Sequence, residues 1–318
     1  MSALLSNWLK KPWFGPLVAL IGVYALFSAL TPDTFLRTLN LVTMLRQTVV
    51  VSIAAIGMAL IIIHGGIDLS VGSSVALTTV VVAKCLQSGY GTFTALAIAL
   101  ALGALAGAFN GALVVWLRIT PFIATLGTMS ALRGIAKGLA DEQKIDAPAA
   151  GLDDWMAVIP GERLVPYGVW LALATAVIFA LLLSYTRLGR HAVAVGSNEL
   201  TARLCGVPVT RVRLTVYALG GLLAAVAGIL EFSTLTVGDP TDSVGLELET
   251  IAAVVIGGGS LSGGQGSVAG TLIGALLLTV IKAGCTHLGM HNWVQEILTG
   301  AIIVLAMALD RVRQAVRD

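Results

Sequence analysis

The chain has 318 residues, 57% of them hydrophobic and only 11% charged, with a formal net charge of +2. Soluble domains carry about 25% charged residues, so this composition excludes a water-soluble globular protein. Its mean hydropathy of +0.93 comes from apolar runs long enough to cross a bilayer as helices. The alternating pattern of a transmembrane barrel is absent.

The sequence therefore predicts an all-α polytopic membrane protein, a single transmembrane domain over 1–318 with about ten helices. The first span, 14–31, follows Lys10 and Lys11 without a small-residue cleavage pattern, so it reads as an uncleaved helix rather than a signal peptide. Spans at 43–63, 69–87, 92–117 and 121–139 come next, then 166–185, 214–238, 248–259, 267–285 and 292–309. The segment 248–259 is short for a crossing, so eight or nine crossings plus a re-entrant segment also fit. With the N-terminus inside, the inner loops receive Arg118, Arg187, Arg190, Arg203, Arg211, Arg213, Arg311, Arg313 and Arg317. The outer loops receive mainly acids, among them Asp141, Glu142, Asp153, Asp154, Asp239, Asp242 and Glu247. This asymmetry predicts both termini in the cytosol.

Two loops are long. Residues 140–165 form an acidic extracytoplasmic loop expected to pack on the outer mouth, and residues 186–213 form the most basic, cytosolic one. Cys85, Cys205 and Cys285 are too scattered for a disulfide framework. His287 and His291 lack a third ligand, so no metal site is expected.

Glycine punctuates the spans. Gly103, Gly107 and Gly111 lie four apart, and Gly134/Gly138 and Gly270/Gly274 repeat that spacing, which predicts close helix packing. In HGGIDLSVG, residues 64–72, Gly65 and Gly66 break two apolar runs. Asp68 then opens the next helix, where it can serve as an N-cap, as a pathway residue, or as both.

The segment GGGSLSGGQGS, 257–267, contains LSGGQ, the signature of ATP-binding cassette ATPases. Such an ATPase also needs a phosphate-binding loop, GxxxxGK[ST], and none of the six lysines follows a glycine. After Gln265 the chain enters a membrane span. The pentapeptide therefore reads as a turn in which Gly257, Gly258, Gly263 and Gly264 break helices and let the chain reverse near the cytosol.

The basic loop reads as two short helices joined by a turn, with Ser197 or Asn198 capping the second and Gly206 ending it. A short amphipathic element of this kind suits a groove on a cytosolic partner.

Together, GMALIIIHGGIDLSVGS (57–73), GAFNGALVVWLRITPFIATLGTMSALRG (107–134), TRLGRHAVAVGSNELTARLCGVPV (186–209) and ELETIAAVVIGGGSLSGGQGSVAGTLIGAL (247–276) resemble the permease subunits of bacterial ATP-binding cassette importers for simple sugars. The likeness runs from about residue 40 to the C-terminus, and the 140–165 loop departs most from the common pattern. The resemblance implies a fold similar to cobalamin-importer permeases, in the bacterial inner membrane, with two permeases, identical or paralogous, flanking the pathway. It implies a partner ATPase, with two cassettes in one polypeptide or two, which holds the ATP and magnesium, so that this chain carries no cofactor, no catalytic residue and no nucleic-acid partner. A periplasmic binding protein would deliver and choose the sugar. Carried over residue by residue, Arg190, Gly196, Asn198, Glu199, Ala202, Arg203 and Gly206 would contact the ATPase, while Asp68, Ser70, Asn110, Pro121, Phe122 and Thr125 would lie nearest the pathway.

Two other readings stay open at this level. An ion-coupled secondary transporter would want carboxylates at mid-membrane, whereas Asp68, Glu231 and Glu296 lie toward span ends. A permease of the same superfamily for a nucleoside or a branched-chain amino acid differs too little in these motifs to be separated.

Overall fold

A computed structural model describes residues 13–159 and 162–315, so Lys10, Lys11 and Arg317 lie outside the described residues. Thirteen α-helices occur among them. In chain order they are α1 (Phe14–Leu30), α2 (Pro32–Phe35), α3 (Thr38–Ile63), α4 (Val71–Gln87), α5 (Thr92–Trp116) and α6 (Pro121–Leu139). Then come α7 (Tyr167–Tyr185), α8 (Arg187–Ser197), α9 (Glu199–Leu204), α10 (Val209–Leu235), α11 (Leu246–Ile256), α12 (Val268–His287) and α13 (Asn292–Ala315). Five of them, α3, α5, α7, α10 and α12, are long and apolar enough to cross a membrane.

Burial sorts these helices into centre and periphery. Over its most apolar window α3 is 83% buried, whereas α5 and α7 are 33% buried. The outward faces of the latter two expose Phe93, Leu105, Phe109, Trp116, Trp170 and Ile178. An apolar helix with an exposed apolar face fits lipid, since hydrocarbon solvates these side chains as well as a protein core does. Around α3 the core gathers Ile53, Ile56, Met58 and Ile61 with Tyr217 and Leu223 of α10.

The glycine spacing on α5 has a partner. A Cβ on Gly103 would lie 2.5 Å from the Ala225 Cβ, and one on Gly107 would overlap the Tyr217 carbonyl oxygen. Gly221 of α10 returns the contact, its added Cβ falling 2.8 Å from the Gly107 Cα. The two backbones touch because neither helix has a side chain at the crossing. Gly107→Leu should therefore force them apart at a cost of more than the about 1–3 kcal/mol of ordinary overpacking, and an immunoblot of membranes should show clearly reduced accumulation. A normal yield would contradict the crossing. Gly270 and Gly274 pack in the same way on the carbonyls of Gly257 and Ala253. Gly134 and Gly138 do not: a Cβ on either meets nothing within 4 Å, so their spacing serves no packing within this chain.

The two ends of the bundle differ. At one end residues 140–159 fold back over the helix termini. Strand β1 (Ile145–Asp146) pairs antiparallel with β2 (Val237–Gly238), Lys144 bridges to Asp239 at 3.0 Å, and Leu152 and Met156 are buried. Arg133 on α6 donates to the carbonyls of Pro240 and Asp242 at 2.9 and 2.6 Å, tying the α10–α11 connection to the same end. This is the acidic end. At the basic end lie α8, α9 and the glycine-rich turn 257–267.

Candidate functional site: a glycine junction beneath two short helices

At the basic end three breaks in regular structure meet. Helix α3 stops at Ile63 because Gly65 turns the chain with φ +90°, a conformation that costs glycine little. The turn after α11 uses Gly263 at φ +88°, and the Ser260 amide closes it by donating to the Gln265 carbonyl at 3.1 Å. Helix α8 ends beside both. The Gly264 amide donates to the Ile63 carbonyl at 2.8 Å, and Gly196 lies against the pair. A Cβ on Gly196 would overlap the Ile63 oxygen and sit 2.6 Å from the Gly264 nitrogen; one on Gly263 would sit 2.6 Å from the Gly196 oxygen. The LSGGQ glycines thus hold a backbone-to-backbone junction between α8, the end of α3 and the start of α12. Gly257 and Gly258 precede this turn, Gly257 packing on Gly270 and Gly258 turning the chain at φ +90°.

Local sequence builds the two short helices. Thr186 caps α8, its hydroxyl accepting from the Gly189 amide at 3.2 Å, and Asn198 caps α9, accepting from the Thr201 amide at 2.9 Å. Gly206 ends α9 at φ +82°. Ala202 points inward to Val195 and Val209. Glu199 receives Arg203 at 2.9 Å and Arg213, at the root of α10, at 2.8 Å. The Arg213 hydrogen bond holds the Glu199 carboxyl below its ordinary value, despite partial desolvation. A lowered folded value means the tie contributes above the unfolded value of 4.5 and is lost as pH falls through the lower folded one. It is therefore intact at neutral pH.

The expected partner-facing residues divide. Arg190, Asn198, Arg203 and Gly206 are exposed; Gly196 and Ala202 face into the protein, and Glu199 is spent on the two arginines. Sequence reasoning missed Leu200 and Leu204, four apart on α9 and 69% and 81% exposed. The signal was present as two leucines facing away from Ala202 in a helix of six residues.

The expected pathway residues also divide. Asp68, Ser70 and Asn110 form one buried cluster, each no more than 3% exposed. The Asp68 Oδ1 accepts from the Ser70 amide at 2.8 Å and its hydroxyl at 2.6 Å, and Asn110 Nδ2 donates to Ser70 Oγ at 2.8 Å. Asp68 thus closes the turn before α4 rather than capping the helix as expected: α4 begins at Val71 with Ser70 at the N-cap position and no side-chain cap bond. Thr125, 0% exposed, donates to the Ile67 carbonyl at 3.3 Å and joins α6 to the break. Gly66 lies under Tyr217, whose hydroxyl would be 2.5 Å from an added Cβ. Pro121 opens α6 at its first position, and Phe122 is 51% exposed on its outside, apart from the cluster. Asp68→Asn keeps an acceptor oxygen and should accumulate in membranes as wild type does. Asp68→Ala strands the Ser70 amide and hydroxyl donors at about 1–3 kcal/mol each and should lower accumulation. Equal yields from the two would contradict the turn-closing role.

Residues 40–307 match the family described as "Branched-chain amino acid transport system / permease component". The chain belongs to this family of transport permeases. It is 41% identical over 302 residues to the ribose import permease protein RbsC of Escherichia coli K12, covering 94% of this chain and 93% of that protein. It is 38% identical over 301 residues to RbsC of Bacillus subtilis 168, covering 95% and 93%. Against the galactose/methyl galactoside import permease protein MglC of Salmonella typhimurium the identity is 37% over 329 residues, covering 97% and 96%. No solved structure matches the chain.

Proposed function

We propose that the chain is the membrane-spanning permease subunit of an ATP-binding cassette importer for a monosaccharide, a pentose or a hexose. The observation that carries this is the nearly end-to-end likeness to ribose and galactose import permeases. The family's description mentions amino acids, but the three relatives named above, at 37–41% identity, are ribose and galactose import permeases. In this reading the fold makes ten crossings, by α1, α3–α7 and α10–α13, similar to cobalamin-importer permeases, with the basic end and both termini in the cytosol of a bacterium. The acidic 140–165 loop then faces the periplasm and a sugar-loaded binding protein. A second permease, identical or paralogous, completes the pathway.

Hydrolysis belongs to a separate ATPase, which holds ATP and magnesium; this chain supplies the lever. Helices α8 and α9 dock on the ATPase through Leu200, Leu204, Arg190 and Arg203. When the cassettes close, the movement passes through Gly196 to the ends of α3 and α12, because that contact is backbone on backbone with no flexible side chain to absorb it. Affinity for the sugar rests mainly with the binding protein, so the permease needs only to alternate its opening.

Deletion of the chain from its host should abolish concentrative uptake of one labelled sugar among ribose, xylose, arabinose and galactose, restored by the gene in trans. Unchanged uptake of all four, with loss of a nucleoside or amino acid instead, would overturn the sugar assignment.

A further inference from the structure

We infer that the acidic-end half of the bundle holds a solute-binding vestibule, built where α3, α11 and α12 meet, which takes a neutral polyhydroxylated molecule before translocation. This rests on the importer reading and its orientation, and names a subsite within it. A cavity of about 690 Å³ opens there, inside the about 300–1,000 Å³ range of small-molecule sites. A second, of about 380 Å³, shares Thr43, Gln47 and Glu249 with it and continues toward the α10–α11 connection.

The lining explains the choice of ligand. Asn40, Thr43 and Gln47 repeat at i, i+3 and i+7, so one face of α3 carries a polar stripe into the cavity. Thr279 and Lys282 present a matching stripe from α12, and Lys282 is ion-paired with Glu249 of α11. Polar side chains on membrane helices face a bundle interior or a water-filled cavity, because lipid offers them no partners. Here they converge from three helices on one space.

The Lys282–Glu249 pair is self-compensating, so the inner wall of the larger cavity presents balanced charge; Arg37 and His287 stand toward its rim, and the smaller cavity adds Arg46, Glu231 and Asp242. Amide and hydroxyl groups that both donate and accept suit the hydroxyls of a sugar better than an ion. The hydroxyls of Thr43 and Thr279 each donate to a carbonyl one turn back, at 2.8 and 3.1 Å, which leaves their oxygens free to accept. The Asp68 cluster, by contrast, is sealed at 1–3% exposure, with Ser70 and Asn110 donating within it. The solute's polar contacts are therefore placed at the opposite end of the helices from the motif residues.

Two measurements test the vestibule. Thr43→Cys in whole cells carrying the complete importer should react with a membrane-impermeant thiol reagent added outside, well above the labelling of wild type with its own three cysteines. Should Thr43→Cys fail to reach the membrane, Gln47→Cys takes its place. A thiol at these positions as unreactive as wild type would overturn a vestibule open to the outside. Gln47→Leu combined with Thr279→Val should then slow uptake of labelled ribose or galactose at least about tenfold, with membrane accumulation checked by immunoblot. Reactive thiols with uptake within about twofold of wild type would overturn the sugar contact. If Gln47→Leu with Thr279→Val does not accumulate, Gln47→Ala alone, which only shortens a side chain lining open space, gives the same reading. Wild type transporting neither sugar counts against the sugar assignment, and the thiol reaction alone still decides whether the vestibule exists.

Discussion

Gly196→Val in the complete importer should reduce ATP-driven uptake by at least about tenfold, the rate equivalent of about 1.4 kcal/mol. The first carbon of the new side chain already overlaps the Ile63 carbonyl oxygen and crowds the Gly264 amide at 2.6 Å. Relief requires α8 to move away, which opens the junction and strains the 2.8 Å hydrogen bond between Gly264 and Ile63. Overpacking of this sort costs about 1–3 kcal/mol, and a lost backbone hydrogen bond adds about 0.5–1.5 kcal/mol. Because α8 lies at the edge of the bundle, the cost falls on its docking rather than on the core around α3, and the protein should still reach the membrane. Ser197→Ala, one residue away and exposed, removes only a hydroxyl that donates to the Val193 carbonyl, and should leave uptake within about twofold. Wild-type uptake by Gly196→Val would show that motion does not pass through this contact.

The second large effect concerns the outer face of the same pair. Leu200→Asp with Leu204→Asp should abolish stimulation of the partner ATPase while the purified permease keeps its thermal stability. These side chains are 69% and 81% exposed, so they contribute little to the fold. Buried against a groove, two leucines contribute about 1.5–3 kcal/mol each, and a carboxylate there leaves an unpaired charge. Arg203→Glu should act in the same direction. Its pair with Glu199 is exposed and worth about 1 kcal/mol at most, and Glu199 keeps Arg213. Normal stimulation by the double variant would remove α9 from the interface.

Much of this architecture was legible because bilayer-length apolar runs leave few choices. The segment expected at 121–139 is α6, and that at 92–117 ends one residue later than α5. Where the boundaries slipped, the reason is physical. Helix α3 begins at Thr38 rather than 43, because Thr38 and Asn40 lower the hydropathy of its first turn. Helix α10 begins at Val209 rather than 214, since Arg211 and Arg213 belong to a helix that extends past the apolar layer. The caps at Asn198 and Gly206 were readable from local chemistry alone.

The site was less legible, since its key contacts join residues far apart in sequence. Nothing local pairs Gly196 with Gly264 and Ile63, or Gly107 with Gly221. The same four-residue spacing that packs at Gly103 and Gly107 is idle at Gly134 and Gly138, because only the first pair has a small-residue partner opposite. Ala202 and Gly196, expected at the partner surface, face inward instead and serve packing.

The most direct test is reconstitution of the permease in proteoliposomes with its ATPase inside and a sugar-loaded binding protein outside. Concentrative uptake of labelled sugar should occur only with all three components and internal ATP, and should be lost with Gly196→Val. Uptake by the permease alone, driven by a proton or sodium gradient, would contradict the account.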